Sequence, residues 1–496
     1  MEIFLIRAAQ LILSLAILVL LHEFGHFAFA RLFKVRVDKF YMFFNPKFSL
    51  MRAKKINGKW HVKFFAPNVE PNERIKLDSS GNQVMQEDGK TPVMEPVPLA
   101  DMAMDDWRRY PESTEWGIGW LPLGGYCKIA GMIDESMDKT AMAQPPKPWE
   151  YRSRPTWQRL PIIIGGVLVN FLLALAIYSA VLFTWGKEYI PLENAKYGLS
   201  FSQQMIDAGF QDGDHIISVD GVKITQIGDA IEKILVNKAN TVTVERNGQQ
   251  TDLEIPDDLT QKVLAAAKPG IIEMRFPFVV NEVVKGSGAD NANLQSGDSI
   301  IGINGKPLAF FQDISQELAL LKGETTPISF VRNDETMETN LEVSEDGKMG
   351  VYPKSPLSFL QTKKETYTLL GSIPAGIKMG VETLGSYVKQ FKLVFTKEGA
   401  KSLGGFGAIG QLFPPKWNWQ TFWIMTAFLS VILAFMNFLP IPGLDGGYVL
   451  FLFYEMITGR KPSEKFLEYA VTFGMLLLIG LVLFANGNDI FKAFFK

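Results

Sequence analysis

Near the amino end the chain reads Leu20-Leu21-His22-Glu23-Phe24-Gly25-His26. On a helix, His22 and His26 stand one turn apart on one face, so their imidazoles can hold a single metal ion, and Glu23 lies beside them to take a proton from water that the metal activates. HExxH is short and turns up by chance, and the setting makes this instance specific. It closes an apolar run from Ile3 to Leu21. A carboxylate with two imidazoles inside a lipid-facing helix is unfavourable by roughly 2.5–3.5 kcal/mol per acid, so such groups are functional candidates by default. The alternative is a helix that ends at Leu21 and leaves these residues at the interface. A catalytic zinc needs a third protein ligand and an open fourth position. The other histidines, His61 and His215, lie in a hairpin and in a distant repeat, so a carboxylate is the better donor. Asn437-Phe-Leu-Pro-Ile-Pro-Gly-Leu-Asp445-Gly446-Gly447 offers Asp445 from a segment where Pro440 and Pro442 break the helix. His22 is the 20th residue of its run and Asp445 about the 25th of the run from Thr421, so in parallel helices both reach a similar depth.

The elements that must position these residues follow from composition. The chain has 496 residues, 47% hydrophobic and 21% charged, which is too apolar for an average soluble protein and too polar for membrane throughout. Lys plus Arg (50) nearly balances Asp plus Glu (52), leaving no basic field for nucleic acid. One cysteine, Cys127, excludes an intrachain disulfide and an all-cysteine zinc site. Four stretches are apolar enough to cross a ~30 Å hydrocarbon layer: Ile3–Leu21, Leu160–Trp185, Thr421–Leu444 and Tyr469–Asn488. The first could instead be a secretory signal with Ala28-Phe29-Ala30 as its cleavage site. Its cations (Arg31, Lys34, Arg36, Lys39) follow the run rather than lead it, which favours an uncleaved helix. Lys147, Arg152, Arg154 and Arg159 precede the second stretch, and Arg460, Lys461 and Lys465 separate the third from the fourth. Positive flanks mark the cytoplasmic side. The N-terminus, the 186–420 segment and the C-terminus are then outside.

That outer segment contains a repeat at an offset of 84: Ala208-Gly-Phe-Gln-Asp-Gly-Asp-His-Ile-Ile-Ser-Val-Asp-Gly221 and Ala292-Asn-Leu-Gln-Ser-Gly-Asp-Ser-Ile-Ile-Gly-Ile-Asn-Gly305. Each copy reads as turn, short strand and hairpin turn. The pair resembles two tandem PDZ domains, a family in which a peptide adds as a strand. Tyr197 to Gln204 matches that family's carboxylate-binding loop poorly, and a spacer or a sieve against bulky ectodomains is the competing reading. On the inner side Phe48 to Phe65, with Asn57-Gly58 at its centre, reads as a hairpin, and Ala66 to Glu115 as an inserted excursion. Trp116 to Ala130 reads as an extended segment at the membrane face. Glu365 to Lys401 reads as amphipathic helices at the outer interface.

HEFGH in a first membrane helix, NFLPIPGLDGG in a late one and PDZ-like repeats between them resemble the site-2 protease family of intramembrane zinc metalloproteases, and closely its bacterial RseP branch. The resemblance implies that His22, His26 and Asp445 bind Zn2+ and that Glu23 is the general base. It implies that Asn437 helps hold the substrate backbone. Gly166-x-x-x-Asn170 matches the family's GxxxN element, with helix packing through a small residue as the other reading of Gly166. Leu121-Pro122-Leu123-Gly124-Gly125-Tyr126 matches its membrane-associated β segment, which pairs with an unwound substrate. Two departures stand out: Gly404-Gly405-Phe406-Gly407 where the family has a glycine-proline turn, and the long 66–115 excursion.

The expected architecture is a polytopic α-helical membrane protein with four transmembrane helices, tandem PDZ-like α+β domains outside and a membrane-associated β segment. The boundaries are 1–35 (first helix), 36–157 (β region with insertion), 158–186 (second helix), 187–268 and 269–356 (repeats), 357–420 (interfacial helices), 421–454 (third membrane region) and 455–496 (fourth helix). The resemblance implies a bacterial inner-membrane enzyme whose partners are lipid and single-span substrates, such as anti-sigma factors or remnant signal peptides, cut near the cytoplasmic face. A scaffold binding peptide tails and a metal transporter are the other readings. A scaffold has no use for three metal-ligand side chains at one depth, and a transporter would carry ionisable residues along several spans.

Overall fold

The computed structural model describes residues 2–68, 73–76, 84, 93–97, 102–104, 106–122, 124–132, 145–266 and 270–495. Residues 69–72, 77–83, 85–92, 98–101 and 105 of the 66–115 excursion, Leu123 and the 133–144 stretch lie outside the described residues. The chain forms two units, 1–184 with 368–387 and 403–496, and 185–367 with 388–402.

The first unit contains four helices long and apolar enough to cross a membrane. Helix α1 spans Glu2–Leu32, with Glu2 in its first turn and Arg31 in its last, each complementing the helix dipole. It does not stop at Leu21, so the HExxH motif lies well inside it. Helix α2 spans Thr156–Trp185. Helix α3, Leu369–Phe391, packs against α2, where Gly376 and Gly380 approach Ser179 and Leu175 too closely for a side chain. A short helix α4, Phe406–Gln411, precedes α5, Trp419–Phe438, which Asn418 caps by accepting from the Thr421 amide. The third apolar stretch therefore does not run as one helix to Leu444. Pro440 excludes Leu439 from the helical region, Leu439 turns extended, and a new helix α6, Asp445–Thr458, begins at the aspartate. Gly459 ends α6 with a positive φ. Helix α7, Glu464–Phe495, completes the unit.

Between α1 and α2 lies a five-stranded sheet of β1 (Val37–Met42), β2 (Phe48–Ile56), β3 (Lys59–Pro67), β4 (Glu115–Ile118) and β5 (Tyr126–Ile129), in the order β3-β2-β4-β1-β5. Asn57 and Gly58 both have positive φ, which is the geometry the Asn-Gly hairpin signal requires. Strand β1 pairs parallel with β4 and antiparallel with β5, so β5 is an edge among the described strands. Under the sheet the Tyr41 hydroxyl donates to Glu115, beside Arg52.

The second unit carries the repeat. Strands β6 (His215–Val219), β7 (Val222–Lys223), β8 (Thr241–Arg246) and β9 (Gln249–Glu254) form a sheet in the order β7-β6-β8-β9, and β10 (Ser299–Ile303), β11 (Lys306–Pro307), β12 (Thr325–Arg332) and β13 (Glu335–Glu342) repeat that order. Each copy buries its own apolar core, around Val242 and Val244 in one and Ile300 and Ile328 in the other. Each also buries an aspartate under an arginine: Asp214 with Arg246 at 2.8 Å and Asp298 with Arg332 at 2.7 Å. The aspartate of each accepts a backbone amide three residues before it, so the repeat extends to its polar framework.

Candidate metal centre

Three elements bring the site together. Helix α1 crosses α2 where Gly25 meets Gly165, and a Cβ on Gly25 would stand 2.2 Å from the Gly165 carbonyl oxygen. This close approach lays His22 and His26 against α2. A Cβ on Gly166 would lie 2.5 Å from His26 Nε2 and 2.6 Å from His22 Cε1, so both imidazoles occupy the space that its missing side chain leaves. The helix break brings the third element. Gly446 and Gly447 let the Phe438–Pro442 backbone fold onto the first turn of α6, since a Cβ on either would overlap that backbone within 2.6 Å. Asp445, the first residue of α6, then faces the two histidines, and the positive end of the helix dipole favours its charge.

The donor atoms form a nearly equilateral triangle. His22 Nε2 and His26 Nε2 are 3.2 Å apart, and Asp445 Oδ2 is 3.3 Å from the first and 3.4 Å from the second. Donors placed tetrahedrally about an ion at ~2.0–2.1 Å are separated by about 3.3–3.4 Å. Asp445 Oδ2 is buried and has no hydrogen-bond donor among the described residues. Two imidazoles and an unpartnered carboxylate oxygen at that spacing fit a zinc ion with one position left open.

Neighbouring groups set the imidazole tautomers. His26 Nδ1–H donates to the Ile162 carbonyl at 2.9 Å, which leaves the Nε2 lone pair facing the triangle. The Asn170 amide stands 3.3 Å from His22 Nδ1, and its oxygen has no donor among the described residues. Turning that oxygen to the ring lets His22 Nδ1–H donate and likewise frees Nε2. The Ser430 hydroxyl of α5 in turn donates to the Asn170 carbonyl at 2.6 Å. Asn437 Nδ2 lies 3.5 Å from His22 Nε2.

A cavity of about 470 Å3 opens beside the triangle. Glu23 lines it beside the backbone amide of Cys127 on β5. Asn437 and the run Gly125 to Ile129 line it too, so the sheet edge forms one wall. The structure thus brings His22, Glu23, His26, Asn170, Asn437 and Asp445 together, with Gly125 and Tyr126 on the wall. The strand itself starts at Tyr126 and runs to Ile129, instead of occupying 121–126. Leu121 bridges to Phe44 and Gly124, with a φ of 154°, lies in the turn before the strand, neither of them on the cavity lining. Leu123 lies outside the described residues. Sequence reasoning missed the Ile162 carbonyl, the Cys127 amide, Ser430 and the cations Lys39 and Lys128 on the cavity wall. Backbone groups carry no residue identity, so only the alternation of the 116–130 segment pointed to any of these.

The family model for peptidase family M50 matches residues 10–73 and 103–481. Relatives extend over the same length. The regulator of sigma E protease of Haemophilus influenzae is 28% identical over 416 residues, covering 78% of this chain and 89% of its own. The protease RseP of Yersinia pestis is 27% identical over 509 residues, covering 97% of each. A Neisseria meningitidis protein whose name assigns it provisionally to the zinc metalloproteases is 25% identical over 503 residues, covering 97% of each. Among solved structures, the PDZ domain of an SdrC-like protein from Listeria monocytogenes matches at 21% identity and a TM-score of 0.15, covering 16% of this chain and 90% of that domain. With a family match across most of its length, the chain belongs to peptidase family M50, the site-2 protease family, and is a protease of that type.

Proposed function

We propose that the chain is a zinc-dependent intramembrane endopeptidase that cuts the transmembrane segments of single-span proteins, of the anti-sigma-factor type or remnant signal peptides. The observation that carries this reading is the donor triangle of His22, His26 and Asp445 on the same cavity as Glu23 and strand β5. Zinc held by these three residues supplies Lewis acidity toward a peptide carbonyl and lowers the pKa of water to about 7. Glu23, beside the Cys127 amide, takes the proton from the attacking water and passes it to the leaving nitrogen. Asn437 offers an amide to the substrate backbone. A helical substrate hides its carbonyls in its own hydrogen bonds, and the edge of β5 supplies alternative partners to a segment that unwinds there. By the cation count the four long helices cross a bacterial inner membrane with the site near the cytoplasmic face and the repeats outside. The repeats, 187–268 and 269–356, are PDZ-like modules that act on the remnant ectodomain, by holding a peptide or by excluding bulk.

The test is cleavage of a tagged single-span substrate with a short ectodomain by the purified full chain in liposomes. Wild type is compared with Glu23→Gln and with a chelated sample that is given zinc back. Loss in both controls and recovery with zinc is expected. Glu23→Gln cleaving at the wild-type rate would overturn the assignment of the base, and a chain that binds no zinc and cuts nothing would leave a scaffold.

A further inference from the structure

A second cavity, of about 280 Å3, shares the side chains of Met132 and Tyr448 with the metal-centre cavity. It lies where the first turns of α2 meet the end of α6 and the α6–α7 link, with Tyr151, Phe451 and Leu452 as its apolar wall. Its charged groups are Arg152, Arg159, Lys461 and Glu455. Arg152 is bonded by Glu150 at 2.6 Å from outside the lining, so among the described residues three cations face two acids. Arg159 is 7% exposed. Its terminal nitrogen binds the Glu455 carboxylate, and its guanidinium lies 5.7 Å from the Tyr151 ring centroid. Its Nε–H has no acceptor among the described residues. Burying a charged donor without an acceptor is unfavourable, and the fork of an arginine is shaped for two oxygens of one anion. Lys461 stands exposed at the rim and donates to the Arg152 carbonyl at 3.3 Å.

We propose that this cavity binds the phosphate headgroup of an anionic phospholipid. Arg159 Nε–H and the Lys461 ammonium donate to the phosphate oxygens, and the tyrosine, phenylalanine and leucine wall takes the glycerol and first acyl carbons. The place supports a lipid over a free anion. The cavity sits at the ends of helices long enough to cross a bilayer, where headgroups lie, and it combines an apolar wall with an excess of cations among the described residues, as lipid sites between helices do. The inference does not depend on the protease reading, because it concerns binding at residues outside the donor triangle.

The experiment is native mass spectrometry of the full chain in detergent, titrated with phosphatidylglycerol or phosphatidylcholine and challenged with inorganic phosphate. One phosphatidylglycerol per chain is expected to remain bound, with phosphatidylcholine about ten-fold weaker. The double variant Arg159→Met with Glu455→Met removes both buried charges at similar volume. Leu467→Trp fills the cavity and leaves the ion pair intact. Each is expected to weaken phosphatidylglycerol binding about ten-fold. Unchanged affinity in Leu467→Trp overturns the proposal even where the double variant does not fold. Equal retention of both lipids, or complete displacement by inorganic phosphate, overturns it as well.

Discussion

The candidate metal centre rests on a few atoms that orient its donor residues. Asn170 is almost fully buried and touches His22 Nδ1, and Ser430 holds its backbone. Outer partners of metal-bound histidines set the tautomer and typically change metal affinity by ~10–100-fold, so Asn170→Ala is expected to lower zinc affinity within that range. Competition against a chromophoric chelator measures it, and unchanged affinity would remove Asn170 from the site. Gly166→Ala should act more severely, because its methyl would sit 2.5 Å from His26 Nε2 and the triangle would have to open. At this scale the chemistry was legible in the residue types, since two histidines and a glutamate inside an apolar helix have few other uses. The Ile162 carbonyl and the Cys127 amide were not, because every residue offers the same backbone.

Elements decide whether the ligands meet. The α5–α6 break brings Asp445 to the site, and its cause was legible in Pro440 and Pro442. That the break starts a second helix, with Asp445 on its first turn, was not. The wall strand offers a direct test. Cys127→Ala keeps the backbone N–H beside Glu23, whereas Cys127→Pro removes it. The alanine variant should cut its test substrate near the wild-type rate and the proline variant at least about ten-fold more slowly, with zinc stoichiometry retained. Equal rates would show that the strand does not position Glu23. The Gly404–Gly407 turn, where a proline was expected, is held by another device. Asp489 of α7 accepts from the Gly405 and Ala408 amides at 3.0 and 2.9 Å, and Asn486 from Phe406 at 3.1 Å. Asp489→Ala removes this cap and should lower stability by about 1 kcal/mol, read from thermal unfolding in detergent.

Two units with separate cores should respond to different perturbations. The donor triangle lies in the first unit, so chelation of zinc bound there should lower that unit's stability, by ~2.7 kcal/mol where free zinc had been at 100 times its Kd, and leave hydrogen exchange of the β6–β13 strands unchanged. The second unit has its own pH response. Burial would push the Asp298 carboxyl up, but the Arg332 guanidinium and the Gln295 amide hold it below the ordinary range. A carboxyl lowered in the folded state adds stability above its unfolded value of ~3.9, and loses it as pH falls toward the folded value. Protection of β10–β13 in hydrogen exchange should therefore fall below about pH 4, and Asp298→Asn should show weaker protection at neutral pH with a flatter acid response.

The sequence by itself determined the apolar helices, the HExxH face, the offset of the repeat and the aspartate at a matching depth. Those features rest on residue type and on periods of a few residues, which the chain carries locally. Only the tertiary structure decided where α1 and α2 touch, which atoms set the histidine tautomers, and that the sheet edge beginning at Tyr126 walls the cavity. Those features depend on backbone surfaces that meet across more than a hundred residues, as Gly25 meets Gly165, and on the space that a glycine leaves for another residue's ring.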